Sequence, residues 1–221
     1  MLQDNVRGSA LFEPYPGNRD VLYNILMGGW PCAGKSVAVI GTLCPWIEAA
    51  LIWSGATSVT TVEYNVLNIL PAVSEMYNWT SIHYDSFVES PAKFDVIATF
   101  SSIEHAGLGR YGDPVDPVAD FAAMESIRSH LAPGGFVLWG APVGRDALVW
   151  NAHRVYGPLR LPQLLRGFRA VAWYGSFTYT REDLCHNGFQ PWLILVKTEL
   201  LEDNEAETAA VHASIMSCPK L

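Results

Sequence analysis

The sequence is poor in charge. Only 16% of its 221 residues are Asp, Glu, Lys or Arg, while half are hydrophobic. That balance predicts a sizeable packed core and argues against a chain disordered along its length. Basic residues are the scarcer sign: 14 Lys and Arg stand against 22 Asp and Glu, a formal net charge of −8. No basic stripe runs along the chain, which argues against a phosphate-backbone binder, so no nucleic-acid partner is expected. No apolar run is long enough to cross a bilayer, and the first residues lack a basic stretch followed by an apolar core. The expectation is a cytoplasmic protein with no membrane partner. The four cysteines, Cys32, Cys44, Cys185 and Cys218, form no CxxC pair. They read as free thiols, not as disulfides or a zinc site.

What is present centres on Val37 to Asn65. The apolar run Val37–Ile40 stops at Gly41, a helical pattern follows with Trp46, Ala49, Ala50 and Trp53 at three- and four-residue spacing, and Ser54-Gly55 closes it. A second β-rich run, Val59 to Val62, leads into Glu63, 22 positions after Gly41. This is a βαβ unit, and an acidic residue at that distance is placed to hydrogen-bond the ribose hydroxyls of an adenosine-type ligand. Just upstream, Gly29 to Ser36 fits the phosphate-loop pattern GxxxxGK[ST]. A phosphate loop needs a strand before it and a helix after it, and here that order is inverted.

In chain order, a short helix is expected over Arg19–Met27, and a second over Val66–Tyr77 with Pro71 as a kink or late start. Strands are expected over Thr80–Tyr84 and Phe94–Phe100, a helix over Val118–Leu131 and a strand over Phe136–Ala141. A short helix around Leu161–Leu165 and two last strands, Phe168–Gly175 and Pro191–Lys197, complete the pattern. Five strands alternating with helices, then two in succession, predict an α/β fold: a doubly wound, Rossmann-like, mostly parallel seven-stranded sheet ending in an antiparallel hairpin. The expected organisation is an arm and short helix over 1–34, the α/β domain over 35–197 and an acidic tail over 198–221. Ligands in such sheets bind at the carboxyl ends of the strands, where the polar loops of this chain gather.

FDVIATFSSIEH followed by LAPGGFVLWGAPV resembles the fourth and fifth strand segments of class I S-adenosylmethionine-dependent methyltransferases, and GFRAVAWYG with QPWLILVK is similar to their terminal hairpin. Within that superfamily, VIGTLCPWIEA, VEYN, SSIEHAGLGRYGDP and WNAHRVYG together resemble an uncharacterised branch, a domain of unknown function. The resemblance covers about residues 35–197. It implies S-adenosylmethionine as cofactor, with the Gly41–Thr42 loop beside its methionine end and Glu63, next to Tyr64, on its ribose. Asp85, next to Ser86, would meet the adenine, and Ser101 and Ser102 would line the sulfonium side. The first loop departs from the family's glycine-rich type: Gly41-Thr42-Leu43-Cys44-Pro45-Trp46 holds one glycine, although Pro45 suits a helix start.

Methyl transfer to a hydroxyl or protonated amine needs a base. Glu104 and His105, at a strand end, are the candidates, with His153 second; the other reading of Glu104 and His105 is local structure. Arg110, Tyr111, Asn151 and Arg154 are candidate substrate contacts. His105, Asp113, Asp116 and His153 are metal-ligand types without a ligand spacing, so no metal is expected. The function expected is methylation of a small polar acceptor, a sugar or its nucleotide conjugate. The alternative is a non-catalytic relative that keeps the fold as a binding or scaffold protein.

Overall fold

The structure, a computed structural model, describes residues 17–175 and 190–198. The expected arm, most of the expected tail, Cys185 and Cys218 lie outside the described residues. Seven strands form one sheet: β1 Ser36–Ile40, β2 Ser58–Glu63, β3 Trp79–His83, β4 Phe94–Phe100, β5 Leu131–Gly140, β8 Phe168–Tyr174 and β9 Trp192–Lys197. Their order is β3-β2-β1-β4-β5-β9-β8. The first five are parallel, and β9 runs antiparallel to both β5 and β8. This is the doubly wound sheet with a terminal hairpin that the sequence predicts.

Continuous apolar runs let the central strands bury both faces. Along β1, Val37 and Val39 pack with Leu22 and Ile25 of α1 (Asn18–Gly28) and with Ile47 and Leu51 of α2 (Trp46–Trp53). Ala38 and Ile40 face the opposite layer, where Phe87 of α4 (Tyr84–Glu89) meets Met124 and Ile127 of α5 (Ala119–His130) and Leu164 of α6 (Leu161–Leu164). β9 splits the same way, with Trp192 and Ile194 on the first face and Leu193 and Leu195 on the second, as the two-residue period of a strand requires. Among the described residues no helix is long and apolar enough to cross a membrane.

Four elements differ from the sequence expectation. Strand β5, expected over Phe136–Ala141, starts at Leu131 and takes in Pro133-Gly134-Gly135. Helix α3 spans Pro71–Tyr77, so Pro71 starts it, in the first turn where its missing N–H costs nothing. Strand β3 ends at His83, whose Nδ1 accepts the Asp85 N–H at 3.2 Å and starts α4 at Tyr84. The polar stretch 142–157 contains a small hairpin, β6 Ala147–Val149 with β7 His153–Val155.

The GxxxxGK[ST] match lies at the amino edge of the sheet. Both the N–H and the hydroxyl of Ser36 donate to Asp95 Oδ2, at 2.9 and 2.8 Å, joining the starts of β1 and β4. These bonds hold the Asp95 carboxyl below its usual range. The segment is a clamp on the far side of the sheet from the carboxyl edge.

A second clamp fastens the 154–160 region to α5. Asp120, fully buried, accepts Arg160 Nε at 2.9 Å and Nη2 at 2.6 Å, receives the Tyr156 hydroxyl at 3.2 Å, and pairs with Arg154 Nε at 3.6 Å. Removing one member of a buried ion cluster strands the remaining charge. Asp120→Ala is expected to cost about 3–5 kcal/mol in equilibrium urea unfolding; a loss below about 1 kcal/mol would show that the cluster contributes little.

Candidate functional site

The strand order reverses between β1 and β4, and the crevice at the carboxyl end of that seam is where open α/β sheets bind ligands. A cavity of about 340 Å³ opens there, bounded by the ends of β1, β2 and β4, the first loop, and Ala119, Ala122 and Ala123 of α5. The three alanines fall at helical spacing and keep that wall low.

Two loops meet at its floor. Gly41 has φ +77°, and its N–H donates to the Val62 carbonyl at 3.1 Å. A Cβ on Gly41 would overlap the Ser102 side chain outright. Ser101 holds φ +52°, uncommon for a residue with a side chain, and its N–H donates to the Gly140 carbonyl at 2.8 Å. The one glycine of the first loop stands where the backbone passes closest to Ser102. Leu43 turns outward, 74% exposed. Trp46 packs edge-on against Phe100 and Trp192, with ring centroids 5.8 and 6.0 Å away. The loop thus borders the cavity and leaves it open.

Glu63 ends β2 at the cavity wall, and its Oε2 accepts the Tyr64 N–H at 3.0 Å. Burial raises its pKa, more than the backbone bonds it accepts lower it. Tyr64 stacks on Tyr84, 5.3 Å between centroids, and the two form an aromatic wall beside Asn65. Asp113 and Asp116 line the opposite side. Asp113 is buried and accepts the N–H groups of Tyr111 and Gly109 at 3.2 and 3.3 Å; Asp116 accepts the Val118 N–H at 2.9 Å. The described lining contains three carboxylate residues and no Lys or Arg.

Glu104 and His105 stand in a single 3₁₀ turn, Ile103–His105. Glu104 is fully buried, and burial raises its pKa to about 7. Its Oε1 accepts the Ser101 hydroxyl at 2.9 Å, and Ser101 Oγ in turn accepts Gln190 Nε2 at 3.2 Å. His105 lines the cavity, and its Nδ1 meets the Ala152 carbonyl. A carbonyl only accepts, so Nδ1 carries the proton and Nε2 holds the free lone pair. Burial lowers the His105 pKa.

Of the residues singled out in the sequence, Gly41, Thr42, Glu63, Tyr64, Ser101, Ser102, His105 and Tyr111 line the cavity. Asp85, Ser86, Glu104, Arg110, Asn151, His153 and Arg154 do not. Asp85 projects into solvent at the start of α4, its side chain 75% exposed, and Asn65 and Tyr84 stand on the wall instead. Arg154 is buried, and its Nη1 donates to the Ala106 carbonyl at 2.5 Å and Nη2 to the Asp116 carbonyl at 3.5 Å; it braces the loop and does not face the cavity. Arg110 sits 5.7 Å from the Tyr111 ring centroid, outside the lining. The His153 ring stands edge-on to His105 at 6.3 Å. Among the described residues no group of three His, Cys, Asp or Glu is placed to hold a metal ion. Sequence reasoning missed Asn65, Tyr84 and Gln190. Tyr84 sits where a strand ending at His83 and a new helix meet, a boundary that pattern alone leaves undefined.

The fold is the one found in solved methyltransferases. The chain belongs to the family described as "Caenorhabditis protein of unknown function, DUF268", whose model matches residues 34–191. Similar solved structures include the 1,6-didemethyltoxoflavin-N1-methyltransferase of Burkholderia thailandensis with bound 1,6-didemethyltoxoflavin and S-adenosylhomocysteine, at 16% identity and TM-score 0.55, covering 89% of this chain and 81% of that one. The N-methyltransferase NodS of Bradyrhizobium japonicum WM9 matches at 13% identity and TM-score 0.54, covering 82% and 95%. The mitomycin 7-O-methyltransferase MmcR matches at 15% identity and TM-score 0.53, covering 82% of this chain; the chain spans 54% of that protein's length. At such identities the likeness is one of fold. No curated protein matches the sequence.

The Gly41–Ser102 contact can be tested without a ligand. Gly41→Ala adds overlap and a left-handed alanine, and is expected to cost about 2–4 kcal/mol in urea unfolding. Adding Ser102→Gly should relieve the overlap, giving a coupling above about 1 kcal/mol in the double-mutant cycle. Additive losses would mean the two residues do not touch.

Proposed function

We propose that the chain binds S-adenosylmethionine at the β1–β4 seam and methylates a small polar acceptor in the cytoplasm. The observation that carries this reading is a cavity at the switch point walled by Glu63, Asp113 and Asp116, without a described Lys or Arg. Such a wall attracts a cation, and S-adenosylmethionine is a sulfonium. Glu63, half-buried at the end of β2, suits the ribose hydroxyls, and the Tyr64–Tyr84 wall suits a purine ring. When bound, the cofactor would supply an electrophilic methyl group. The chain's part is to orient the acceptor against it, exclude water with the Phe100 and α5 walls, and receive the acceptor's proton at His105 Nε2. The same acidic wall disfavours an anionic acceptor, so a neutral sugar or an amine fits better than a sugar nucleotide. A scaffold role has less support, since the altered first loop leaves the cavity open.

Calorimetric titration with S-adenosylmethionine is expected to give saturable heat for the wild type and little for Glu63→Gln. Ribose binding needs the ionised carboxylate. Because burial raises the Glu63 pKa, affinity should fall on acidification at a higher pH than an ordinary carboxylate would dictate. Absence of heat at any pH would overturn the reading.

A further inference from the structure

The groups around His105 form a chain of contacts that begins at the cavity floor. Gln190 Nε2 donates to Ser101 Oγ, whose hydroxyl proton goes to Glu104 Oε1, and that oxygen lies 3.7 Å from His105 Nε2. At the other end of the imidazole, Nδ1–H is committed to Ala152, at the turn of the β6–β7 hairpin. Glu104 is 0% exposed, and among the described residues its Oε2 has no hydrogen-bond partner. A buried carboxylate facing the bare lone pair of a neutral imidazole is unfavourable, since neither group offers the other a proton. At 3.7 Å the contact is an ion-pair distance, not a hydrogen bond, and it becomes favourable once the imidazole gains a proton.

We propose that Glu104 and His105 form a one-proton pair in which His105 Nε2 takes the acceptor's proton and the buried Glu104 carboxylate, acting through His105 as a positioning residue, balances the imidazolium charge. The proton leaves the acceptor O–H or N–H for Nε2, and the bonding electron pair stays on the acceptor atom as the nucleophile. Ala152 fixes which nitrogen is free, and Ser101 fixes where the carboxylate stands. The other charged or titratable groups around the imidazole are Arg110, Tyr111 and Asp113 of the 106–117 loop and His153 of β7. Burial together with Arg110 and His153 opposes the imidazolium, while the Ala152 carbonyl and Asp113 favour it; the Glu104 carboxylate, 3.7 Å from Nε2, adds to the favourable side. The proton-transfer step rests on the methyl-transfer reading; the pairing of the two side chains does not.

The test is NMR titration of the His105 ring in the ligand-free protein, wild type against Glu104→Gln, with His153→Asn used to assign the two signals. The pair predicts that His105 titrates at lower pH in Glu104→Gln, because a neighbouring carboxylate favours imidazolium and Gln does not. An unchanged midpoint would overturn it. If Glu104→Gln does not fold, His105→Asn with the Glu104 carboxyl carbon as probe serves: the carboxyl should titrate at higher pH once its cationic partner is gone, and no change is again disproof. Turnover of the wild type should fall on acidification, as the pair takes up its proton. In Glu104→Gln that limb should move to lower pH, with the plateau rate about tenfold or more down and cofactor affinity unchanged. A shifted His105 in a protein without heat on S-adenosylmethionine would keep the pair and remove the methyl-transfer reading; an unshifted one in a protein that binds would do the reverse.

Discussion

The cavity depends on one close approach. Strands β1 and β4 are neighbours in the sheet, and the chain leaves both at the same edge, so their exits collide unless one gives up its side chain. Gly41 does so, and Ser102 occupies the vacated space. With that contact made, Ser101 is turned to φ +52°, its hydroxyl reaches Glu104, and the 3₁₀ turn presents His105 to the cavity. The strain at Ser101 is of the kind that persists only where its surroundings over-determine it. Here those surroundings are the Gly140 carbonyl on its N–H and the Gln190 amide on its hydroxyl.

Burial then sets the electrostatics. Glu48 and Glu104 are both fully buried carboxyls whose pKa burial lifts to about 7. Glu48 accepts the Thr61 hydroxyl at 2.9 Å, and Thr61 in turn accepts Trp79 Nε1 at 2.9 Å; this polar thread runs beneath Glu63. Asp120 is equally buried but bound by Arg160 and Arg154, so its charge is spent inside the fold. Carboxylates paired to arginine brace the loops, while those on the cavity wall have hydrogen-bond capacity left for a ligand.

Much of the fold was legible because its signals are local. Runs of four to seven β-favouring residues mark β1, β2 and β4, ending at Gly41, Glu63 and Ser101, and helical spacing marks α2 and α5. About half of the singled-out site residues reach the cavity, and most of these sit at or just past the ends of β1, β2 and β4, where topology alone places them. The failures share a different cause. Arg154 reads as a loop cation until its partners at 106, 116 and 120 are known, and these lie 34 to 48 positions away in sequence. Asp85 is mispositioned because the chain turns into α4 one residue earlier than the strand pattern suggests. Trp46 is bulky at a place where a glycine is familiar, but the space that receives it is made by Phe100 and Trp192, far along the chain.

The strand order carries a consequence for how the molecule comes into being. β9 lies between β5 and β8, although β8 precedes it in sequence. While a ribosome is still delivering β8, the neighbour that will flank β5 does not yet exist, and the apolar edge of β5 stays open. Gln190, immediately before β9, is also absent, so the Ser101–Glu104 contact forms without its outer support. The nascent chain therefore cannot complete its sheet strand by strand; the sheet closes only when β9 enters the gap between β5 and β8, joining residues 54 to 60 positions apart in β5 and β9.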